Sequence, residues 1–155
     1  MIRIMFVCHG NICRSPMAEF IMKDLVKDSR SDFYIASSAT SREEIGNGVH
    51  YGTKKKLAEF GISCEGKHAV QLTRADYDKY DYIVAMDTMN IRNIFRIIGN
   101  DPQKKVYKLL DFCGGGDVAD PWYTGDFDAT YRDVLRGCKA LLKKTKTNFS
   151  TKTCN

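Results

Sequence analysis

Ile4-Met5-Phe6-Val7-Cys8-His9-Gly10-Asn11-Ile12-Cys13-Arg14-Ser15-Pro16 is the stretch on which the reading of this chain turns. A short apolar run, read as a buried strand over residues 2–7, ends in a thiol. Ser15-Pro16 then opens a helix, because proline suits a first helical turn. Gly10 and Asn11, between the thiol and the helix, tolerate backbone angles that most residues avoid. That tolerance lets successive N–H groups turn inward as a nest for an anion, and the helix start adds its positive end. Arg14 can fork onto two oxygens of a phosphate. The same donors favour an anion on the Cys8 sulfur, the nucleophilic form of a thiol. Ser15 can hydrogen-bond that sulfur, and Asn11 is read as holding the loop's shape rather than touching substrate. The candidate phosphate-binding set is therefore His9, Gly10, Asn11, Ile12, Cys13 and Arg14, around Cys8 as nucleophile. A nucleotide P-loop would need Gly-Lys-Ser/Thr here, and the chain has none at this place.

Working outward, Met17, Phe20, Ile21, Met22 and Leu25 recur at helical spacing. Strands are expected at Phe33–Ala36, Tyr82–Met86 and Val106–Leu110. Helices are expected at Tyr51–Phe60, stopped by Gly61, at Asp87–Ile98 with Asp87 as cap, and at Phe127–Lys144. Thr73 with Asp76 resembles a capping box opening a short helical turn. Strands thus alternate with helices, and the strands are short apolar runs, which predicts an α/β fold with a parallel sheet covered on both faces. Such sheets bind ligands beyond the carboxyl ends of their strands. Cys8, Met86-Asp87 and the loop carrying Asp120 all follow strand ends and can converge on one rim. A single domain is expected over residues 1–145, with a polar, fraying tail at 146–155.

Composition narrows the class. The chain has 155 residues, 43% hydrophobic and 28% charged, with a formal charge of +5, ordinary for one globular domain. The positive charge is too dispersed to argue for nucleic acid, and Lys54-Lys55-Lys56 reads as a solvated face. No run approaches membrane-spanning length, and Ile4–Val7 is too short for a signal peptide core, so a cytoplasmic location is the default. Six cysteines, at 8, 13, 64, 113, 138 and 154, form no Cys-x-x-Cys pair and lack zinc-type histidine spacing, so no metal is expected.

The motif Phe6-Val7-Cys8-x-Gly10-Asn11-Ile12-Cys13-Arg14-Ser15-Pro16 resembles the low-molecular-weight protein tyrosine phosphatase family. The likeness continues through Ser37-Ser38-Ala39, Asp81-Tyr82-Ile83, Met86-Asp87 and Asp120-Pro121-Trp122-Tyr123. It implies a three-layer α/β sandwich, with a four-stranded parallel sheet flanked by helices. It also implies a protein-tyrosine phosphatase that passes through a phosphocysteine on Cys8, without cofactor or metal. Cys8, Arg14, Ser15 and Asp120 would be catalytic, with Asp120 as general acid and then base; Asp117 and Asp126 lie nearby but do not precede proline. Trp122 and Tyr123 would form one wall of a cleft. The opposite wall would come from a loop matching Ser41–Gly46, where Glu43 stands at about the place of a common aromatic residue, beside Glu44. His9 replaces a residue that is usually apolar. His68 resembles a histidine that buttresses the loop asparagine, here Asn11, though the arginine that normally follows it is absent. Cys13 resembles a second cysteine that traps oxidised Cys8 as a disulfide. The expected partners are a tyrosine-phosphorylated protein or peptide and inorganic phosphate as product, with no nucleic acid and no membrane, and the enzyme itself is expected to be a monomer, or else a weak dimer. The rivals are a protein-arginine phosphatase, which tends to carry threonine where Ile12 stands, an arsenate reductase, which would need a further cysteine pair just after the third strand, and a non-catalytic phosphopeptide-binding module.

Overall fold

A computed structural model describes the backbone of residues 1–153 and the side chains of residues 1–147. The strands are β1 (Ile2–Cys8), β2 (Phe33–Ala39), β3 (Tyr82–Ala85) and β4 (Val106–Lys108). They form one sheet in the order β2-β1-β3-β4, parallel throughout. The helices are α1 (Arg14–Leu25), α2 (Tyr51–Ala58), α3 (Asp76–Lys79), α4 (Thr88–Ile98), α5 (Pro121–Thr124) and α6 (Phe127–Thr153).

Successive side chains of a strand point to opposite faces, and β1 divides its residues accordingly. Ile4, Phe6 and Cys8 pack with Met17, Ile21 and Met22 of α1 and with Val134, Cys138 and Leu141 of α6. Met5 and Val7 pack on the other face with Leu72, Tyr77, Ile83, Ile94 and Ile98. The central strand is therefore buried on both sides, which is why it reads as a continuous apolar run. The strand order reverses around β1, and a parallel sheet opens a crevice at that point, beyond the strand ends. Cys8 is the last residue of β1 and stands at that crevice.

The element boundaries differ from the sequence reading in several places: α2 stops at Ala58 rather than Phe60, the short helix α5 follows Asp120 unannounced, and four larger differences have a physical reason. β2 runs on through Ser37-Ser38-Ala39 because its edge pairs with β1 in register, Cys8 opposite Ala39. The short serines carry no apolar signal but fill buried positions. β4 stops at Lys108, and Leu109–Cys113 turns into a 3-10 helix. There Leu109 lies so close to α6 that a side chain on Gly137 would meet its Cγ at 2.5 Å. A further 3-10 helix, Lys27–Asp32, follows α1 with no apolar periodicity to announce it. Finally, α6 continues to Thr153, beyond the Lys144 end expected from the apolar pattern. Cys154 lies outside the described residues. Asp87 caps α4 as expected, its side chain accepting from the Asn90 N–H in a capping box. Thr73 and Asp76 make half of theirs, the Thr73 N–H donating to Asp76 Oδ2.

Candidate active site

The loop from Cys8 to Arg14 is tied down from outside by its carbonyls. Cys8 O accepts from the Thr40 N–H, His9 O from Ser41, Ile12 O from His50 and Cys13 O from Met17, and the Thr53 hydroxyl also donates to Cys13 O. In a planar trans peptide the N–H points opposite the carbonyl. Holding these four carbonyls outward therefore turns the following amides, of His9, Gly10, Cys13 and Arg14, toward the loop's interior. Asn11 sits at φ 59°, in the left-handed region that asparagine tolerates better than most residues. The Asn11 N–H donates to Cys8 Sγ at 3.3 Å, and Ser15 Oγ lies 3.0 Å from the same sulfur. The result is a sulfur at the floor of a ring of donors, a shape suited to an oxyanion with three equivalent oxygens.

Arg14 closes the ring. Its side chain is 3% exposed, yet it points a full fork at acceptors. Nη1 donates to Asp87 Oδ2 at 2.7 Å and to the Val118 carbonyl at 3.0 Å, and Nη2 lies 3.4 Å from Asp120 Oδ2. Burial works against the guanidinium charge, but Cys8, Asp87 and Asp120 outweigh it and hold the group above its ordinary pKa. Burial, reinforced by the nearby Cys8 and Asp120 charges, pushes the Cys13 thiol up to about 12. Cys13 is thus a protonated thiol at neutral pH, and only one of the loop's two sulfurs has donors arranged around it.

Asp120 arrives from the opposite side. Its loop is fastened to the sheet end by a bond from the Val118 N–H to Met86 O. Asp120 Oδ1 accepts from the Trp122 N–H and caps α5, and Oδ2 faces Arg14. Asp120 and Cys8 line the same cleft, and a carboxyl group there can, when protonated, deliver a proton to a leaving group. Trp122 and Tyr123 are 60% and 84% exposed, so neither packs under the loop, and both line the cleft. Behind Trp122, the His50 ring meets it edge-on at 5.7 Å and stacks on Phe127. Glu43 and Glu44 line the other wall, with His9, Gly10, Ile12 and Cys13 completing the cleft. His9 Nε2 lies 3.1 Å from Glu43 Oε2, so these two residues form a pair across the mouth.

Of the expected residues, those of the loop other than Asn11, together with Glu43, Glu44, Asp120, Trp122 and Tyr123, line one cleft, while Asn11 and Ser15 are buried beneath it. His68 does not take its expected role. Its Nδ1 faces the Gly46 carbonyl, and the bond to Asn11 Oδ1 comes from the Val70 backbone N–H at 3.1 Å. A backbone donor one strand-like step further on occupies the position, which leaves the His68 ring at the surface. Three functional contacts escaped the sequence reading. Asp87 divides its carboxylate between capping α4 and anchoring Arg14, and only the cap has a local signal. Ser37 accepts from Asn11 Nδ2 at 2.9 Å, and Glu19 and Lys67 stand behind it.

This geometry is matched by known proteins. A family model described as low molecular weight phosphotyrosine protein phosphatase matches residues 3–151. The chain belongs to that family. It is 40% identical over 147 residues to the low molecular weight protein-tyrosine-phosphatase YfkJ of Bacillus subtilis, covering 92% of this chain and 94% of that one. The crystal structure of YfkJ superposes with a TM-score of 0.90 at 39% identity over 96% of each chain. The low molecular weight protein tyrosine phosphatase from Streptococcus pyogenes gives a TM-score of 0.86 at 41% identity, covering 93% of each chain. The Drosophila arginine phosphatase shares the fold at 28% identity and a TM-score of 0.82, over 92% of this chain and 97% of that one. The three-layer sandwich and the phosphatase class implied by the loop motif are thus those of the family.

Proposed function

We propose that this protein-tyrosine phosphatase hydrolyses aryl phosphate monoesters in two steps centred on Cys8. In the first, Sγ attacks phosphorus in line while the loop amides and Arg14 hold the three non-bridging oxygens, where transition-state charge collects. Asp120 gives its proton to the departing phenolate, and a phosphocysteine remains. In the second, Asp120, now a carboxylate, takes a proton from water as that water attacks phosphorus, and the Cys8 thiolate leaves toward Ser15. The convergence of Arg14 and Asp120 on the sulfur-bearing loop is the observation that carries this reading. The positive field comes from Arg14 and the amides, so the proposal assigns no metal and no cofactor. The test is turnover of phenyl phosphate and a phosphotyrosine peptide in the presence of a chelator, with block by vanadate. Preference for a phosphoarginine peptide would transfer the assignment to the arginine reading. Failure to turn over any phosphate while still binding one would favour a phosphopeptide-binding module. Among the described residues no helix is long and apolar enough to cross a membrane. We assign a cytoplasmic monomer acting on tyrosine-phosphorylated proteins or peptides, which cell fractionation and light scattering check.

The two walls of the cleft carry the selectivity in this proposal. The floor is positive, but the mouth presents Glu43 and Glu44, and Glu43 is 69% exposed even while paired with His9. A basic residue beside the phosphotyrosine is therefore favoured and an acidic one disfavoured. We expect Glu43→Gln/Glu44→Gln to shrink the kcat/KM ratio between Lys-flanked and Asp-flanked phosphopeptides by about threefold to tenfold, the worth of about 1 kcal/mol at an exposed charge pair. An unchanged ratio would remove the two glutamates from specificity.

Cys13 is proposed as the redox partner of Cys8. It lines the same cleft, and as a buried thiol it is spared while Cys8 is oxidised first. Peroxide should inactivate the enzyme and dithiothreitol restore it. Recovery should fall sharply in Cys13→Ser, whose Cys8 would go on to irreversible oxidation, and equal recovery in that variant would dismiss the protective role.

A further inference from the structure

His50 is half-buried and takes no part in the catalytic steps above, yet it touches both halves of the site. Its backbone N–H donates to the Ile12 carbonyl of the phosphate loop at 2.8 Å. Its ring meets Trp122 of the cleft wall with centroids 5.7 Å apart at 77°, the T-shaped arrangement that aromatic pairs favour. Trp122 needs that support. The Asp120 cap fixes its backbone, but α5 is a single turn of four residues and the side chain stands exposed. Among the described residues the indole makes no hydrogen bond and meets no other ring.

The His50 ring is itself held from two sides. A backbone N–H can only donate, so Nδ1 accepts from the Gly52 N–H at 3.0 Å, and the proton of the neutral ring sits on Nε2. That bond caps α2 and fixes the tilt of the ring. Phe127, the first residue of α6, stacks on the ring with centroids 5.3 Å apart, 16° from parallel. It can lie there because residue 52 is glycine, since a Cβ at that position would collide with the Phe127 ring. The first turns of α2 and α6 thus clamp His50 where Trp122 rests on it.

We propose that His50 is a positioning residue for aryl selectivity: its clamped ring holds Trp122 in place as the wall against which the substrate's aromatic ring packs. The inference rests on the aryl phosphatase reading above. The two contacts of His50 use different atoms. Every residue except proline keeps the backbone N–H, so replacing the side chain leaves the phosphate loop anchored and removes only the support of the wall. Affinity for an aryl ligand should then fall while affinity for bare phosphate stays.

Two variants separate the wall from the fold. His50→Asn removes the ring but supplies an oxygen that can accept from the Gly52 N–H, and asparagine is a good helix cap. His50→Phe keeps a ring and loses the cap. The chain has one tryptophan, so the emission of Trp122 reports on the wall directly. In His50→Asn, acrylamide should quench that emission more strongly than in the parent. Phenylphosphonate, which cannot be hydrolysed, should bind this variant about threefold to tenfold more weakly, the range an edge-to-face ring pair is worth, with inorganic phosphate within about twofold of the parent. With phenyl phosphate the loss should appear in KM rather than in kcat. His50→Phe should keep most of the preference for phenylphosphonate but melt about 2–4 °C lower, whereas His50→Asn should melt like the parent. In a Trp122→Ala background, His50→Asn should weaken phenylphosphonate no further, because residues acting through one another are not additive. Unchanged quenching and an unchanged ratio of the two affinities in His50→Asn would overturn the proposal. So would full additivity with Trp122→Ala, or a loss of preference in His50→Phe as large as in His50→Asn. A parent chain that binds phenylphosphonate but releases no phenol from phenyl phosphate would remove the phosphatase reading instead and leave the binding comparison standing.

Discussion

Cys8→Ser is expected to lower aryl phosphate turnover by on the order of 10⁵–10⁶-fold, the usual result of deleting a nucleophile. Its affinity for phosphate or tungstate should nonetheless change by no more than a few fold. The two outcomes separate because the structure separates their causes. The attacking atom is one sulfur, whereas the grip comes from Arg14 and from amides whose orientation is set by Thr40, Ser41, His50 and Met17. None of those bonds uses the Cys8 side chain. Serine is smaller, but Cys8 is 3% exposed and packs against the α1 face of the sheet, so a thermal melt is needed beside the assay. A shift of a few degrees leaves the interpretation intact. Residual turnover above a hundredth of the parent would mean that the reaction does not pass through Cys8. Loss of anion binding together with turnover would mean that the sulfur builds the loop rather than reacting from it.

Asp120→Asn is expected to cost about 10²–10⁴-fold on phenyl phosphate, the range for losing a general acid. On a substrate with a good leaving group, such as nitrophenyl phosphate, the cost should be smaller, because that phenolate needs less help to depart. Asparagine is the informative replacement. Asp120 Oδ1 caps α5 through the Trp122 N–H, and the asparagine carbonyl can keep that bond, whereas alanine would lose it at a cost of about 0.5–2 kcal/mol. Asp120→Ala therefore removes the acid and loosens the wall together. The difference between the two variants measures how much Trp122 depends on the cap. An equal loss on both substrates in Asp120→Asn would count against the acid and point to the 3.4 Å contact with Arg14 as the residue's main contribution.

Much of this architecture is legible in the chain because the signals are local. Strand β1 advertises itself as an unbroken apolar run, and the loop after it combines a thiol, Gly-Asn and Arg-Ser-Pro in a pattern that chance seldom assembles. Asp120 is legible only because the loop makes it so, since Asp-Pro alone is a common turn. What stayed hidden is long-range and polar. Glu19 reads as an ordinary helix ion pair with Lys23 four residues on, and nothing near it in sequence reveals Ser37 or Lys67. Asp87 reads as a cap because one of its oxygens is a cap, and the second oxygen has no local signature. His68 was misplaced because an irregular segment between α2 and α3 has no periodicity to fix which residue faces inward. The pairing of His9 with Glu43 across 34 positions has the same character, since the two meet only in space.

The outward anchoring of the loop carbonyls also bears on inhibition. A cradle already shaped by its own scaffold loses little freedom when an oxyanion enters, so any phosphate mimic gains affinity there without distinguishing this enzyme from its relatives. Discrimination has to come from the rim, where His9 and Glu43 face each other at 3.1 Å. A selective inhibitor would carry its cation one aryl length from the warhead, out over Glu43 and Glu44, and would leave the floor to the phosphate mimic.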